Sequence, residues 1–390
     1  MARHDPLMTS RATSEAPSLG TIARVFTVLG ATSVGGPAAH VALLREEVVV
    51  RRRWVSEERF VALLGVVNLL PGPNSTELAI HLGKDLAGMR GLAVAGLGFV
   101  LPGALITSAA AYAYVHAGAR PELAAIFYGV KPVVAAIVAH AIVGLAPTTL
   151  RRVPARVVGG LGVVAAYAGL HELALLVACG ALHAALENSS GSKRSLRAVA
   201  PPLIAVAAGT GATVTAPVSA IAIFGAFGKI GSVLYGSGYV LLAFLRTELV
   251  ERRGWISEAQ LLDAVAVGQA TPGPVFTTAT FLGFVLGGAG GACAATAGIF
   301  APAFAFVALA DPLTHTLRRS RVGAAFLEGV NVASLALMVH VAITLSRAAV
   351  VDPVTGVLAA GAGLALVTRR ATATQALAVG ALVGLAARSG

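Results

Sequence analysis

Residues 68–76 read NLLPGPNST, and residues 269–278 read QATPGPVFTT. Both Pro-Gly-Pro triplets lie inside apolar segments that are long enough to be membrane spans. Proline removes a backbone hydrogen-bond donor and glycine weakens a helix, so a segment that only needed to be apolar would avoid both. The triplets therefore predict two membrane helices that are interrupted at equivalent places.

The composition is that of a membrane protein. Of the 390 residues, 56% are hydrophobic and only 12% are charged, and the mean hydropathy is +0.81. A soluble protein carries about 25% charged residues. The net charge of +11 comes from short Lys and Arg clusters between apolar runs, which is typical of membrane topology signals rather than of nucleic-acid binding. Cys179 and Cys293 both lie in apolar runs, so the sequence indicates neither a disulfide framework nor a metal site.

The apolar runs predict an all-α polytopic protein with about 13 transmembrane helices. They centre on 22–44, 60–82, 91–116, 122–146, 155–170, 172–186, 198–216, 221–245, 261–286, 288–311, 322–346, 351–367 and 371–387. The short runs 155–170 and 172–186 could instead form one re-entrant hairpin.

The Lys and Arg clusters favour a cytoplasmic N terminus and an external C terminus. Residues 1–20 are then a disordered cytoplasmic tail. The nearly neutral loop 45–59 lies outside in this arrangement. Lys84 and Arg90, and later Arg252 and Arg253, lie inside.

The chain contains an internal duplication. Residues 45–73 (REEVVVRRRWVSEERFVALLGVVNLLPGP) match residues 246–274 (RTELVERRGWISEAQLLDAVAVGQATPGP) in register. An odd number of predicted spans separates the copies, which places equivalent residues on opposite sides of the membrane. We therefore predict two repeats of inverted topology, residues 21–197 and 198–390, as in many secondary transporters. If 155–186 crosses the membrane only once, the repeats become parallel.

The two breaks are candidate anion sites. A helix that restarts after Pro-Gly-Pro points free N–H groups and a positive dipole end at the break. Hydroxyl, amide and carboxyl groups follow each break and could supplement these donors. The candidates are Pro71, Gly72, Pro73, Asn74, Ser75, Thr76 and Glu77 in the first half, and Pro272, Gly273, Pro274, Thr277 and Thr278 in the second. The alternative is a proline kink that serves packing alone.

Glycine-rich stretches precede both breaks. TSVGGPAAH (32–40) is matched in position by VLYGSGYVL (233–241). A second unwound segment beside each break would complete a two-sided cradle, to which Gly35, Gly36, Pro37 and His40 of the first half and Gly236, Gly238 and Tyr239 of the second would contribute. Close helix packing through small residues is the alternative.

Ionisable residues inside predicted spans are further candidates, because burying a charge in a membrane is costly. Lys131 and Lys229 would attract a divalent oxyanion, unless they reach the interface or pair with a carboxylate. A Glu or His could carry a coupling proton, and the candidates are Glu77, His81, His140, Glu328 and His340.

The segments around the two tryptophans are predicted to be interfacial. Trp54 and Trp255 would lie at the headgroup level, and Ser56 and Ser257 are suitable N-caps for the next helices. Arg45 and Arg246 are candidates for gating ion pairs.

These motifs resemble the chromate ion transporter family in its long, two-domain form. The resemblance rests on GGPAAHVA, LPGPNSTELAIHLG and GFVLPG in the first half, and on TPGPVFTTATFLG and GIFAPAF in the second. It implies a multi-pass carrier of the bacterial inner membrane that exports chromate and confers resistance. It also assigns substrate binding to the two breaks and to the glycine-rich stretches. The second half departs from the pattern, because GSG replaces GGP.

Chromate export has several alternatives. A sulfate carrier is the nearest alternative, because sulfate has the same shape and charge as chromate. A non-transporting membrane subunit would have no reason to place polar residues after two helix breaks. The sequence has no P-loop, no nucleotide fingerprint and no HExxH motif, so we expect neither an enzyme nor a cofactor. Proton coupling and a homo-oligomer are both compatible with the sequence.

Overall fold

A computed structural model describes residues 17–67, 70–117, 120–189, 218–235, 238–319 and 321–388. The regular structure of these residues is helical, as predicted, and comprises fourteen α-helices. They are α1 (Leu19–Thr32), α2 (Pro37–Arg45), α3 (Glu57–Val67), α4 (Asn74–Ala117), α5 (Pro121–Thr149), α6 (Val153–Tyr167), α7 (Glu172–Ser189), α8 (Ala220–Val233), α9 (Leu241–Leu245), α10 (Glu258–Ala270), α11 (Thr278–Arg319), α12 (Arg321–Ala349), α13 (Pro353–Val367) and α14 (Ala373–Arg388).

Four helical stretches in this part of the chain are long and apolar enough to cross a membrane. They are Asn74–Ala117, Pro121–Thr149, Val275–Leu309 and Val322–Ala349. The predicted span 198–216, most of the predicted N-terminal tail and Gly236 lie outside the described residues.

The order of elements repeats along the chain. Helices α1 to α7 correspond to α8 to α14, and each half contains a π-helical turn, at Glu46–Arg51 and at Arg246–Arg252. Both α4 and α11 are interrupted by two residues with non-helical backbone angles, Ala87–Gly88 and Gly287–Gly288. The duplication read from the sequence is thus repeated in the secondary structure.

Each of these interruptions reverses the chain. A Cβ added to Gly83 would lie 2.3 Å from the carbonyl oxygen of Gly91, and one added to Gly283 would lie 2.3 Å from that of Gly291. Residues eight apart in a straight helix are separated by about 12 Å along its axis. α4 and α11 are therefore helical hairpins, each with a short first arm and a long second arm.

The segment around the first Pro-Gly-Pro also folds back on itself. Arg59 at the start of α3 donates to Asp85, near the end of the short arm of α4, at 2.6 and 2.7 Å. The two prolines cannot donate backbone hydrogen bonds, and Gly72 has a φ of +142° that L-residues rarely adopt. The predicted span 60–82 is therefore a hairpin with Pro-Gly-Pro at its tip, not a single crossing helix.

This hairpin corrects one side assignment. The ion pair between Arg59 and Asp85 joins loop 45–59, which we predicted to lie outside, to the turn after Lys84, which we predicted to lie inside. The two segments lie at the same end of the molecule. The prediction failed because the mixed charges of loop 45–59 nearly cancel and so carry little topological signal.

The predicted span 261–286 forms the equivalent hairpin around the second Pro-Gly-Pro, since a Cβ added to Gly268 would lie 2.1 Å from the Thr278 hydroxyl oxygen. The tips of these two Pro-Gly-Pro hairpins contact the opposite repeat. Gly72 donates its backbone N–H to Leu234 O at 2.7 Å, and the equivalent Gly273 donates to Ser33 O at 2.8 Å. The acceptors are themselves equivalent residues, the C-caps of α8 and α1. The breaks are therefore held by a reciprocal pair of hydrogen bonds between the halves.

The last two helices of each half pack against the opposite half. α6 and α7 pack against α12, and α13 and α14 pack against α5. The N-terminal part of α5 lies beside the C-terminal end of α12, since the Tyr128 hydroxyl donates to Asp352 at 2.7 Å. α5 and α12 are equivalent in the repeat, and they run antiparallel.

Candidate functional site

The tip of the first hairpin forms a polar pocket with the N-terminus of α2. The backbone turns at Gly35, whose φ is +116°, and α2 begins at Pro37. The His40 ring nitrogen Nδ1 lies 3.4 Å from the Ser75 hydroxyl of α4. The N-terminal ends of α2 and α4 therefore lie side by side, and a substrate role for this arrangement stays a prediction.

A cavity of about 950 Å³ leads to this tip. At its inner end lie Gly36, Pro37, Leu70 and Asn74. Its walls come from the C-terminal half of α5 and the connection that follows it, from α7 and from the N-terminal half of α12. They include His140, Thr148, Thr149, Arg151, Arg152, His183, Glu328, Asn331 and Ser334. The cavity thus joins predicted site residues from three separate parts of the sequence.

The side chains beneath this tip are buried without hydrogen-bond partners in the part of the chain that the structure describes. They include the hydroxyls of Ser33 and Thr76, Nε2 of His40 and both carboxyl oxygens of Glu77. Thr76 and Glu77 are fully buried. Buried polar groups are nearly always paired, so this cluster is suited to bind a polar ligand or a proton.

The second hairpin tip differs in its chemistry. Here a 3₁₀ turn, Val275–Thr277, precedes α11. The Thr277 hydroxyl donates to Pro274 O at 2.9 Å, and the Thr278 hydroxyl donates to Val275 O at 2.8 Å. These predicted ligands are therefore already satisfied by their own backbone, whereas their first-half equivalents Thr76 and Glu77 are not.

The glycine-rich stretch of the second half lies next to that of the first half. Gly238 and Tyr239 lie in a 3₁₀ turn, and Val240 of the same turn lines the 950 Å³ cavity. A Cβ added to Gly238 would lie 3.3 Å from Pro37. The glycine-rich stretches of the two halves are thus neighbours. Both line the 950 Å³ cavity, which reaches the first tip.

A second cavity of about 700 Å³ lies beside the opposite end of α5. Lys131 and Asp263 line it and form an ion pair at 3.0 Å. The Tyr114 hydroxyl donates to Asp263 at 2.9 Å. At the rim, hydrogen bonds from the Thr355 backbone and from the Tyr128 hydroxyl hold the pKa of the Asp352 carboxyl below its usual value.

The two cavities are equivalent in the internal repeat. Glu328 and Asn331 line the first cavity, and Tyr128 and Lys131 line the second, at matching positions. Residues 148, 149 and 151 line the first, and 348, 349 and 351 line the second. The first cavity reaches Leu70 and Asn74, on either side of the first Pro-Gly-Pro triplet, whereas the lining of the second includes no residue next to either triplet.

Lys229, predicted as a substrate ligand, lies in a network of ion pairs. Its ammonium group donates to Glu248 at 2.6 Å, and Glu248 also accepts from Arg253 at 2.8 Å. Arg252 links this network to Glu172 at the start of α7, at 2.9 Å. Lys229 lines neither of the two cavities described above, and its substrate role stays a prediction.

The interfacial segments have the same geometry in both halves. Arg45 donates to Glu57 at 2.8 Å, and Arg246 donates to Glu258 at 2.7 Å. A preceding arginine stacks on each tryptophan, Arg52 on Trp54 and Arg253 on Trp255, at 5.0 and 4.5 Å from the ring centroid. The N-caps are confirmed, since Ser56 and Ser257 accept from backbone amides of α3 and α10. A gating role for the Arg45 and Arg246 pairs stays a prediction.

Some residues of the first cavity were not predicted as site residues. Arg151, Arg152 and His183 line this cavity, and none of them lies in a motif that the sequence marks as a site. His183 is buried in α7 and its Nδ1 lies 2.9 Å from Ala325 O. No local pattern marks these positions, because their place in the cavity depends on packing between the halves.

A known protein family matches most of the chain. The family model described as chromate transporter matches twice, over residues 20–184 and 221–385. The chain belongs to the chromate transporter family. The double match confirms the internal duplication and the two-domain form of the family.

The relatives of this transporter agree with that assignment. The chromate transport protein of Pseudomonas aeruginosa is 33% identical over 333 residues, covering 83% of this chain and 80% of the relative. The chromate transport protein of Cupriavidus metallidurans is 30% identical over 386 residues, covering 95% and 93%. No solved structure matches the chain significantly.

Proposed function

We propose that the protein is a secondary transporter that exports chromate across the bacterial inner membrane by alternating access and so confers chromate resistance. The observation that carries this proposal is the pair of equivalent cavities at opposite ends of α5 and α12. One cavity reaches the first hairpin tip and the other does not. That is the arrangement expected of a carrier open to one side.

We also propose that the two repeats have inverted topology, with boundaries at 21–197 and 198–390. The antiparallel packing of α5 against α12 supports it, since parallel repeats would place equivalent helices in the same direction. Two ion pairs also support it. Arg152 pairs with Glu187 near the C-terminal end of α7, and Arg252 pairs with Glu172 at its N-terminal end, so the segments that contain these arginines lie at opposite ends of this helix. Loop 45–59 and segment 246–253 would then lie on opposite sides. With loop 45–59 in the cytoplasm, Arg252 and Arg253 would lie outside, which reverses the side predicted for them from the sequence.

The cytoplasmic side is assigned by the positive-inside rule. The end of the molecule at which the 950 Å³ cavity opens carries the cationic residues Arg59, Lys84, Arg90, Arg151, Arg152 and Arg156. We place this end in the cytoplasm. The cavity would then receive chromate from inside the cell, and its arginines would attract the dianion.

Chromate would bind where the N-terminal ends of α2 and α4 meet. Helix N-termini supply backbone N–H donors and a favourable dipole to an anion, and Asn74 and Ser75 add side-chain donors. Export of a dianion from a cell that is negative inside gains about 2.3 kcal/mol per charge per 100 mV. Sulfate or another tetrahedral oxyanion is the alternative substrate, because the same donors would bind it. A non-transporting membrane subunit is the remaining alternative.

Radiolabelled chromate flux in proteoliposomes tests this function. We expect the purified protein to carry chromate at a rate that rises with an imposed membrane potential, because the anion is charged. Empty liposomes give the background. Competition by excess sulfate measures the preference between the two anions, and absence of flux for both would refute the proposal.

A further inference from the structure

The Glu77 carboxyl group, in the first turn of α4, is buried in a way that an ionised group could not sustain. Its side chain is fully buried, and neither oxygen has a hydrogen-bond partner among the residues that the structure describes. Among the described residues no Lys, Arg or His forms an ion pair with it. An isolated buried carboxylate is very costly, so the group takes up a proton instead.

The surroundings of Glu77 form a specific niche. A Cβ added to Gly72 would lie 2.4 Å from the Glu77 oxygen Oε1. The glycine of the first Pro-Gly-Pro therefore leaves the space that the carboxyl group fills, and Ala303 of α11 closes the same niche. The acid lies directly against the hairpin tip, about one helical turn from Asn74.

The titratable groups around this niche do not neutralise it. Tyr235, after α8, is close enough to interact electrostatically with Glu77, and a phenol carries no positive charge. His40 of α2 is directed at Ser75, and His81 lies one turn further along α4. The ammonium group of Lys84, two turns along, donates to the carbonyls of Val307 and Ala308.

The acid is present in one repeat only. The residue equivalent to Glu77 is Thr278, whose hydroxyl donates to Val275 O. The shared architecture of the two tips therefore does not require a carboxyl group. Its presence at the tip that the cavity reaches points to a role in transport rather than in packing.

We propose that Glu77 is a proton-binding site that loads one proton with each dianion bound at the first tip. The inference rests on the function proposed above. Two like charges a few ångströms apart disfavour each other, so a dianion at Asn74 and an ionised Glu77 exclude one another. In the arrangement described here Glu77 holds the proton, which comes from the cytoplasm and is carried with the anion. When the anion leaves on the other side, the tip admits solvent, Glu77 releases the same proton, and the empty carrier returns with an ionised carboxylate. No other bond changes.

The consequence is a measurable charge stoichiometry. A dianion that moves with one proton carries one net negative charge instead of two. A tenfold chromate gradient at equal pH is then balanced by about 59 mV, whereas a dianion alone is balanced by about 30 mV. A tenfold proton gradient at equal chromate should also shift the reversal potential by about 59 mV.

The test is the reversal potential of chromate flux in proteoliposomes, above the pH at which free chromate itself takes up a proton. For the unmodified protein we expect the one-charge value and the shift with pH. For Glu77→Gln, which mimics the neutral acid, we expect half that potential and no shift. The control Glu58→Gln makes the same change at an exposed carboxyl group in the first turn of α3 and should behave like the unmodified protein.

The outcomes separate the two proposals. A two-charge potential with no pH shift in the unmodified protein would overturn the proton site and leave chromate transport intact. If Glu77→Gln still moved one net charge with each chromate, the coupling proton would bind at another residue and the assignment to Glu77 would be wrong. This measurement on the unmodified protein decides the stoichiometry even if the variant does not fold. Absence of any flux would instead defeat the proposed function.

Discussion

Replacing Glu248 with glutamine is expected to destabilise the protein by about 3 kcal/mol, the lower end of what breaking a buried ion pair costs. The Glu248 side chain is 4% exposed and binds the side chains of Lys229, Arg252 and Arg253. A neutral amide leaves the Lys229 ammonium group, which is 17% exposed, without a counter-charge. Thermal unfolding of the purified protein in detergent measures the loss.

The internal repeat supplies a matched control for this change. Glu47 is equivalent to Glu248 and pairs with Arg51 and Arg52, but these arginines are 69% and 37% exposed. The position equivalent to Lys229 is Val28, so the first half has no buried lysine here. Glu47→Gln should cost less than about 1 kcal/mol, as exposed pairs do. Equal losses for both variants would contradict the assigned network.

A second substitution should restore part of the stability. In the double variant Lys229→Met with Glu248→Gln, the unpaired ammonium group is removed. Replacing both members of a buried pair is far less costly than removing one. The double variant should therefore be more stable than Glu248→Gln alone.

Replacing Gly273 with alanine is expected to cost about 2–4 kcal/mol, because a strained backbone and an overpacked contact act together. Gly273 has a φ of +104°, and an added Cβ would lie 2.7 Å from Cα of Gly103. The obstacle is backbone, so no side-chain rotation relieves it. The second hairpin tip would be displaced from α4, and chromate flux should fall with the melting temperature.

Gly290→Ala is the control for this substitution. Gly290 lies in the long arm of α11 with nothing within 4 Å of an added Cβ. Alanine there should leave flux unchanged and stabilise the helix by up to about 1 kcal/mol. If Gly273→Ala were as well tolerated as Gly290→Ala, the close contact between the second tip and α4 would be wrong.

Features that depend on local chemistry could be predicted from the sequence. The helices end before both Pro-Gly-Pro triplets, because proline cannot donate regardless of what surrounds it. The N-cap at Ser257 was predictable for the same reason, since its side chain and the Gln260 amide form a capping box within four residues. The reversal at Gly287–Gly288 coincides with the predicted boundary between 261–286 and 288–311.

Features that depend on long-range packing could not be predicted. Span counting assumes that an apolar run crosses the membrane, whereas the pair between Arg59 and Asp85 folds the run 60–82 back on itself. The partner of Lys131 is Asp263 of the opposite repeat, and nothing near either residue in the sequence indicates it. The chemical difference between the two tips could be predicted only in part. Thr277 and Thr278 are donors in the sequence, but the 3₁₀ turn commits both hydroxyls to backbone carbonyls.

The claim that chromate binds at the first tip is tested most directly by comparing one polar substitution at each of the two tips. Asn74→Ala removes a side chain at the inner end of the cavity. Thr277→Val removes a hydroxyl already bonded to Pro274 O. In proteoliposomes with matched protein content, Asn74→Ala should lower the initial rate of chromate flux at least about tenfold, as expected for a lost hydrogen bond to a charged group. Thr277→Val should stay within about twofold, as the hydroxyl does not reach the anion. Equal losses, or a larger loss in Thr277→Val, would contradict a site at the first tip.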